Sequence, residues 1–262
     1  MKLGIREKLI KESNKNKVVG VSIAALAALG GTFLLKNKLN KIKKLNEIEN
    51  SIFITGRVRE FGTLYLNGEK QDFSDLSKNP DGIITYDDGP IEIRDSEKGD
   101  SKITWIEIND EGKKLLICNK NIIKEIPWSE LDSQNLTYGK VVKLGGKKYI
   151  LRLLTGEVNA SGQDFSEWDK YILNISGIEG LPRSTDEDKN DKISEEGAER
   201  EKGESNLLWN WCKCCSFTQN EYGKNDKFCI IRGLYSTTYN NYCDKDVAYE
   251  TVGYRPVLEL IE

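Results

Sequence analysis

The sequence predicts an α+β protein with an N-terminal transmembrane helix, a β-rich neck and a mixed C-terminal domain. Residues 18–35 carry no charge over a length that suits a membrane span. From residue 51, apolar and polar residues alternate around turn dipeptides, which is typical of β-strands. The predicted parts are a basic tail (1–17), a transmembrane helix (18–35), an amphipathic stalk (36–50), a β-rich neck (51–100) and a C-terminal domain (101–262) with a charged insertion (182–205).

The composition excludes several classes of function. The chain of 262 residues contains no histidine, which removes Ser-His-Asp hydrolysis and the HExxH zinc protease motif. It has neither a GxxxxGK[ST] loop nor a strand-linked GxGxxG, so a nucleotide-dependent enzyme is not expected. The net charge of −3, with both signs mixed along the chain, argues against a nucleic-acid partner. We therefore predict no catalytic residue, no metal and no cofactor.

The uncharged run VVGVSIAALAALGGTFLL (residues 18–35) is long enough, at about 1.5 Å per residue, to cross a hydrocarbon core of about 30 Å. A cleaved signal peptide is disfavoured because Lys36, Lys38 and Lys41 stand where its cleavage site would lie. Lysines crowd both ends, with a slight excess before the run. The expectation is a single-pass membrane protein whose C-terminal domain is extracytoplasmic. Residues 36–50 have apolar residues at helical spacing, which indicates a stalk beside the headgroups or a solvated linker helix.

Turn signals punctuate the neck and the start of the C-terminal domain. The segment IITYDDGPIEIR is typical of a hairpin, and KITWIEI followed by KLLICNKNII predicts another. The dipeptides that indicate hairpin turns are Asn67-Gly68, Asp88-Gly89, Glu111-Gly112 and Gly145-Gly146.

The segment SEWDKYIL predicts a short helix with Trp168 in the core and Ser166 as its N-cap. Glu167 and Asp169 could form an acid/base pair, but adjacent helical side chains diverge, so a solvated face is favoured. The following residues 182–205 are almost devoid of apolar side chains, which predicts an exposed or disordered insertion.

The cysteines leave several interpretations open. Cys118 lies in an apolar strand and is predicted to be a core residue. The later cysteines could hold zinc, although CxCC is not the CxxC pattern of strong zinc sites. They could instead form disulfides in an oxidising compartment, with Cys212 or Cys214 bonded to Cys243, or occupy variable surface positions as thiols.

The motifs KYILRLLTG, SEWDKYI, LWNW, IIRG and GYRPVLE follow one another between residues 148 and 259, within a segment of resemblance that covers residues 102–262. Their succession resembles the C-type lectin-like domains of formylglycine-generating-enzyme relatives and of the variable proteins of diversity-generating retroelements, in bacteria or phage. The resemblance implies that Arg232-Gly233 and Gly253-Tyr254-Arg255 are core strands, that Arg255 is structural, and that the loop between them is on the ligand-binding face. Formylglycine-generating enzymes often have a cysteine directly after the G-F-R triplet that corresponds to Gly253-Tyr254-Arg255, whereas Pro256 follows Arg255 here. Catalysis is therefore not predicted.

The loop LYSTTYNNYCD (residues 234–244) has the composition of an adaptable binding surface, in which tyrosines supply contact area and small polar groups supply hydrogen bonds. The alternative is a polar hairpin whose tyrosines cover the core. We predict a membrane-anchored display protein for a protein or glycan ligand; the alternatives are a formylglycine-generating-like copper oxidase that uses two of the late cysteines, and a structural envelope or virion component. The predicted ligand-binding residues are Trp209, Trp211, Tyr235, Thr237, Tyr239, Asn240, Asn241, Tyr242 and Asp244.

Overall fold

Strands dominate the computed structural model, which describes residues 53–157, 165–190, 203–223 and 226–261. Three short helices interrupt them in this part of the chain: α1 (Trp128–Ser133), α2 (Trp168–Ile172), which is a π-helix, and α3 (Glu204–Trp209). The strands are β1 (Val58–Glu60), β2 (Thr63–Leu66), β3 (Glu69–Lys70), β4 (Ile84–Thr85), β5 (Ile91–Arg94), β6 (Thr104–Asp110), β7 (Lys113–Cys118), β8 (Ile123–Lys124), β9 (Lys140–Leu144), β10 (Lys147–Arg152), β11 (Cys215–Glu221), β12 (Phe228–Arg232), β13 (Asn240–Asp244), β14 (Val252–Tyr254) and β15 (Val257–Leu260).

The structure corrects the predicted α+β class, because the described chain is β-rich. Its α-helices have six residues each, or about 9 Å at about 1.5 Å per residue, far short of a bilayer core of about 30 Å. Within the described ranges no helix is long and apolar enough to span a membrane. The prediction of a single-pass membrane protein with an extracytoplasmic C-terminal domain is therefore wrong for this structure. The predicted tail, transmembrane helix and stalk (1–50) lie outside the described residues.

The strands form two six-stranded sheets and one three-stranded sheet. The first sheet has the order β1-β6-β7-β15-β10-β9 and is antiparallel throughout. The second has the order β13-β12-β11-β14-β8-β4, with parallel pairs β11–β14 and β4–β8. The third is β3-β2-β5. Since β1 pairs with β6 and β4 with β8, residues before and after position 100 share the same sheets.

Three of the four predicted turn dipeptides connect paired strands. Asn67-Gly68 joins β2 to β3, Glu111-Gly112 joins β6 to β7, and Gly145-Gly146 joins β9 to β10. All six of these residues have positive φ, as tight turns between twisted strands require. Local turn chemistry therefore sets the register of these hairpins.

The predicted hairpin IITYDDGPIEIR does not form, because β4 pairs with β8 while β5 pairs with β2. Glu130 of α1 and Gln134, which directly follows α1, contact the intervening turn instead. Gln134 Oε1 accepts a hydrogen bond from Ile91 N at 2.7 Å, and the Tyr86 hydroxyl donates to Gly89 O at 2.9 Å and to Glu130 Oε1 at 3.2 Å. Distant partners thus replace the cross-strand pairing that alternation alone predicts.

The first sheet has a hydrophobic core on each face. One core, which includes Trp105 and Leu258, is shared by all three sheets. The other lies against Ile106 and Val257 and contains residues of α2 and α3 and the chain after α3. Its tryptophans are Trp168, Trp209 and Trp211, each with 0% of its surface exposed. This second core provides the base on which the chain between β12 and β13 is held.

Candidate functional site

A buried arginine holds the loop between β12 and β13, residues 233–239, from below. Arg232 ends β12 and is 1% exposed. Its guanidinium donates to Asp169 Oδ1 at 2.7 Å, to Gly156 O at 2.9 Å and to Tyr239 O at 3.1 Å. Burial lowers the pKa of Arg232, and the Asp169 carboxylate opposes this shift. The ion pair therefore links the end of the loop to α2.

The π-helix α2 supplies both an anion and an indole to this support. Trp168 Nε1 donates to Thr237 O at 2.8 Å, so the predicted core position of Trp168 is confirmed and it also holds the loop. The predicted solvated face is wrong: Glu167 and Asp169 are 8% and 7% exposed. Glu167 accepts two hydrogen bonds of 2.7 Å from Arg152, whereas Asp169 faces Arg232. Each buried carboxylate is stabilised by its own arginine.

The start of the predicted insertion (182–205) packs against the same loop, which corrects its assignment as wholly exposed or disordered. Thr237 donates from its backbone N–H to Asp188 O at 2.8 Å and from its hydroxyl to the same oxygen at 3.1 Å. The Asp188 carboxylate, in turn, accepts hydrogen bonds from Thr185 N at 2.8 Å and from Thr185 Oγ1 at 3.0 Å. Asp188 is 6% exposed, so the turn is part of the folded scaffold.

Substituting Asp188 with alanine should lower the free energy of unfolding by about 1–2 kcal/mol, because the backbone N–H and the hydroxyl of Thr185 both lose the buried Asp188 carboxylate as their acceptor. Urea unfolding of the full-length chain measures this change. The matched control is Asp186→Ala, since Asp186 is fully exposed and makes only a 3.9 Å surface ion pair with Lys189. Equal stability of the two variants would contradict the structural role of Asp188.

Three of the predicted ligand-binding residues are buried, which corrects their assignment. Trp209, Trp211 and Thr237 are each 0% exposed. The backbone oxygen of Trp209 accepts a hydrogen bond from Arg255 Nη1 at 2.8 Å, and that of Trp211 accepts one from Leu234 N at 2.8 Å. These residues support the loop from within the core and do not reach its outer surface.

The exposed part of the site is an aromatic cluster at the edge of the second sheet, formed by Tyr222, Phe228 and Tyr242 and called here the tyrosine face. The rings of Tyr222 and Tyr242 stack, with centroids 4.1 Å apart and planes inclined by 19°. Phe228 meets Tyr242 edge to face at 5.3 Å. Tyr222 and Tyr242 remain 47% and 45% exposed. Such stacking fixes a large aromatic surface in contact with solvent.

Tyr222 and Phe228 were not among the predicted site residues. They lie on either side of the turn between β11 and β12, outside the tyrosine-rich segment that drew attention in the sequence. Strand β12 pairs with both β11 and β13, and an irregularity between Phe217 and Glu221 shifts the β11 register. Only this long-range pairing brings their rings to Tyr242, so no sequence signal identified them.

Polar side chains flank the tyrosine face on β13. The Asn241 amide donates from Nδ2 to the Tyr239 hydroxyl at 2.7 Å, and its Oδ1 accepts a hydrogen bond from Tyr242 N at 2.9 Å. Asn240 and Asn241, two of the predicted contact residues, are exposed. The half-buried Tyr235 and Tyr239 rings meet at 4.8 Å and 73°. These residues continue the polar and aromatic surface towards the loop.

Charged pairs border the same region. Asp244, a predicted contact residue, is half-buried and pairs with Lys227 at 3.0 Å, and Lys245 pairs with Glu221 at 2.7 Å. The hydrogen bond from Lys227 lowers the pKa of Asp244 below its usual value. Each lysine of the border is paired with a carboxylate, so positive and negative charges alternate there and no electrostatic potential of one sign faces a ligand.

No family model, curated protein or solved structure matches the chain. The resemblance to C-type lectin-like domains consequently stays a prediction, and no relative contributes evidence about function.

Four of the five late cysteines are buried, and Cys212 is half-buried. Burial raises the pKa of Cys214 to about 12 and also raises that of Cys215, so both thiols are protonated at neutral pH. Cys229 and Cys243 are 0% and 8% exposed and lie among core residues. Among the described residues, no group of three or more potential ligands could hold a metal ion. This geometry does not favour the oxidase alternative.

Proposed function

We propose that the chain is a binding protein whose contact surface is the tyrosine face together with the polar residues beside it on β13. The observation that carries this proposal is the stacked pair Tyr222 and Tyr242, which is nearly half exposed although its geometry is fixed. Tyrosine offers large contact area for the loss of few rotatable bonds, and rings that are already ordered lose little further entropy on binding.

The support beneath the site favours a pre-organised surface. The loop between β12 and β13 is tied by the Arg232 guanidinium, the Trp168 indole and the Asp188 carbonyl. All three of these residues are at most 6% exposed. A rigid scaffold beneath exposed aromatic rings favours tight binding. The loop is already ordered before the ligand arrives, so little conformational entropy is lost on binding.

The chemistry of the surface favours a protein ligand. Aromatic rings occupy its centre, carboxamides lie beside them, and matched ion pairs form the border. Protein interfaces have this anatomy, with an apolar centre rich in tyrosine and a polar rim. The internally paired charges do not provide the basic surface needed by nucleic acid.

Selection of a random peptide library on the immobilised full-length chain tests the proposal. Peptides that bind the wild type should bind Tyr222→Ala and Tyr242→Ala at least about 30-fold more weakly, the loss expected for hot-spot residues. The melting temperature should change by only a few degrees, because both side chains are exposed.

The matched control is Tyr65→Ala, since Tyr65 is a half-buried tyrosine on β2 of the third sheet, where its ring contacts Arg94. Its affinity for the selected peptides should equal that of the wild type. Peptides that bind all three variants equally would refute the proposed face. Binding to a glycan array without binding to peptides would refute the protein ligand, and early melting of the tyrosine variants would favour a structural role.

A further inference from the structure

Two cysteines lie directly opposite each other at the edge of the second sheet. Cys229 of β12 is the register partner of Cys243 of β13, and their sulfur atoms are 3.7 Å apart. Neither is disulfide-bonded. The sequence favoured Cys212 or Cys214 as the partner of Cys243, whereas the strand register selects Cys229.

The backbone geometry suits a covalent bond between these sulfurs. Lys245 N donates to Lys227 O at 3.0 Å, and Gly233 N donates to Tyr239 O at 3.3 Å. Because hydrogen-bonded pairs alternate along an antiparallel ladder, Cys229 and Cys243 occupy a hydrogen-bonded position. The Cα atoms of such a pair lie about 5.5 Å apart, within the range of about 4.4–6.8 Å that disulfides span. The Cβ atoms of such a pair lie up to about 5.5 Å apart, whereas a disulfide needs about 3.5–4.5 Å, so the edge strand β13 moves closer to β12 by about 1 Å as the bond forms.

The two thiols differ in access to solvent. Cys229 is 0% exposed and lies on the inner strand β12, whereas Cys243 is 8% exposed and lies on β13, the edge strand of this sheet among the residues that the structure describes. The hydrogen bond with Cys243 and burial both raise the pKa of Cys229. Opening of an edge strand exposes Cys243 before Cys229, so Cys243 is the first to meet a reagent.

We propose that Cys229 and Cys243 are a dithiol site that is oxidised to a cross-strand disulfide by low-molecular-weight disulfides of the glutathione class. The Cys243 thiolate attacks one sulfur of the small disulfide, forms a mixed disulfide and releases one small thiol. The Cys229 thiolate then attacks the Cys243 sulfur, which forms the protein disulfide and releases the second small thiol. The two protein thiols lose two protons and two electrons, and the small disulfide is reduced to two thiols. This inference does not depend on the proposed binding function.

The bond would fasten the edge strand β13 to β12. It closes a covalent ring over residues 229–243, which contains the loop and most of β13. Constraining the unfolded chain in this way should raise the melting temperature by about 5 °C or more. Treatment of the oxidised protein with dithiothreitol should reduce the bond and return the melting temperature to its original value.

The test is incubation of the folded full-length chain with oxidised glutathione, followed by alkylation of the remaining thiols and mass spectrometry of a non-reduced tryptic digest. Trypsin cleaves after Lys227, Arg232 and Lys245, so the two cysteines fall in separate peptides, 228–232 and 233–245. The expected product is one linked pair of these peptides, lighter by two hydrogen atoms than their sum. Full alkylation of both cysteines after incubation would overturn the proposal, as would a linkage of either to another cysteine.

Two single variants test the order of attack. Cys229→Ser should stop at a mixed disulfide on Cys243, because the resolving thiol is absent. Cys243→Ser should leave Cys229 mostly unmodified over the same time. The background variant Cys212→Ser removes a half-buried cysteine outside the pair and should give the same linked peptides as the wild type. Equal modification of Cys229 and Cys243 in the two single variants would overturn the proposed order, and formation of the link only in denaturant would overturn the site.

Discussion

Replacement of Arg255 with alanine should lower the free energy of unfolding by about 3–5 kcal/mol. Arg255 is 0% exposed, and its guanidinium donates to Ser216 Oγ at 3.0 Å, Cys118 O at 3.0 Å and Trp209 O at 2.8 Å. The substitution leaves a cavity between the two cores and removes the donor from each of these acceptors. Burial lowers the pKa of Arg255 to about 10, which keeps the group charged at neutral pH.

Urea unfolding of the full-length protein measures this loss. Arg255→Lys should also destabilise the protein, because an ammonium cannot reproduce the planar set of donors. Arg94→Ala is the matched control: Arg94 is exposed, pairs with neighbouring Glu92 and lies over the Tyr65 ring, so its loss should change stability by less than about 1 kcal/mol. A loss below about 1 kcal/mol for Arg255→Ala would contradict its structural role.

Removal of the Asp169 carboxylate should cost about 3–5 kcal/mol, because Asp169→Ala leaves the Arg232 guanidinium buried without its counter-charge. This loss of stability is expected to arise from the buried Arg232 charge that is left without a partner. In the double variant Asp169→Leu/Arg232→Met, both buried charges are absent, so part of the stability should return. Chemical denaturation of Asp169→Leu, Arg232→Met and the double variant gives the coupling energy between the residues.

The pair of Lys227 and Asp244 at the surface provides the comparison, because Lys227 is exposed and removing one partner of a solvent-accessible ion pair costs less than about 1 kcal/mol. Additive effects at Asp169 and Arg232 would show that the two side chains do not stabilise each other. In that case the link between α2 and the loop would not support the site.

Local features of the fold could be predicted from the sequence. Asn-Gly, Glu-Gly and Gly-Gly pairs have a backbone preference of their own, and three such turns join paired strands. The core positions of Trp168 and Cys118 also follow from size and apolar surroundings, and both are 0% exposed. In each case the conformation or burial is determined by residues a few positions apart in the chain.

Long-range partners could not be predicted in this way. The sequence does not reveal that Glu167 faces Arg152 or that Asp169 faces Arg232, and without these partners a solvated helix face was the reasonable expectation. The tyrosine face depends on the same kind of information, because β12 must pair with two strands before Tyr222 reaches Tyr242. The α+β assignment failed for a related reason: it gave weight to a helical apolar run, whereas the described residues are almost all organised by strand pairing.

The Asn241 side chain has a consequence for self-association. The ladder places the backbone groups of Tyr242 on the outer side of β13, where another chain could add a strand. Asn241 Oδ1 already accepts the hydrogen bond from Tyr242 N, and its amide is fixed by the Tyr239 hydroxyl. The carboxamide therefore already binds the Tyr242 N–H, which an added strand would need as a hydrogen-bond donor. One asparagine allows the protein to display aromatic rings beside an open sheet edge while discouraging the growth of aggregates from that edge.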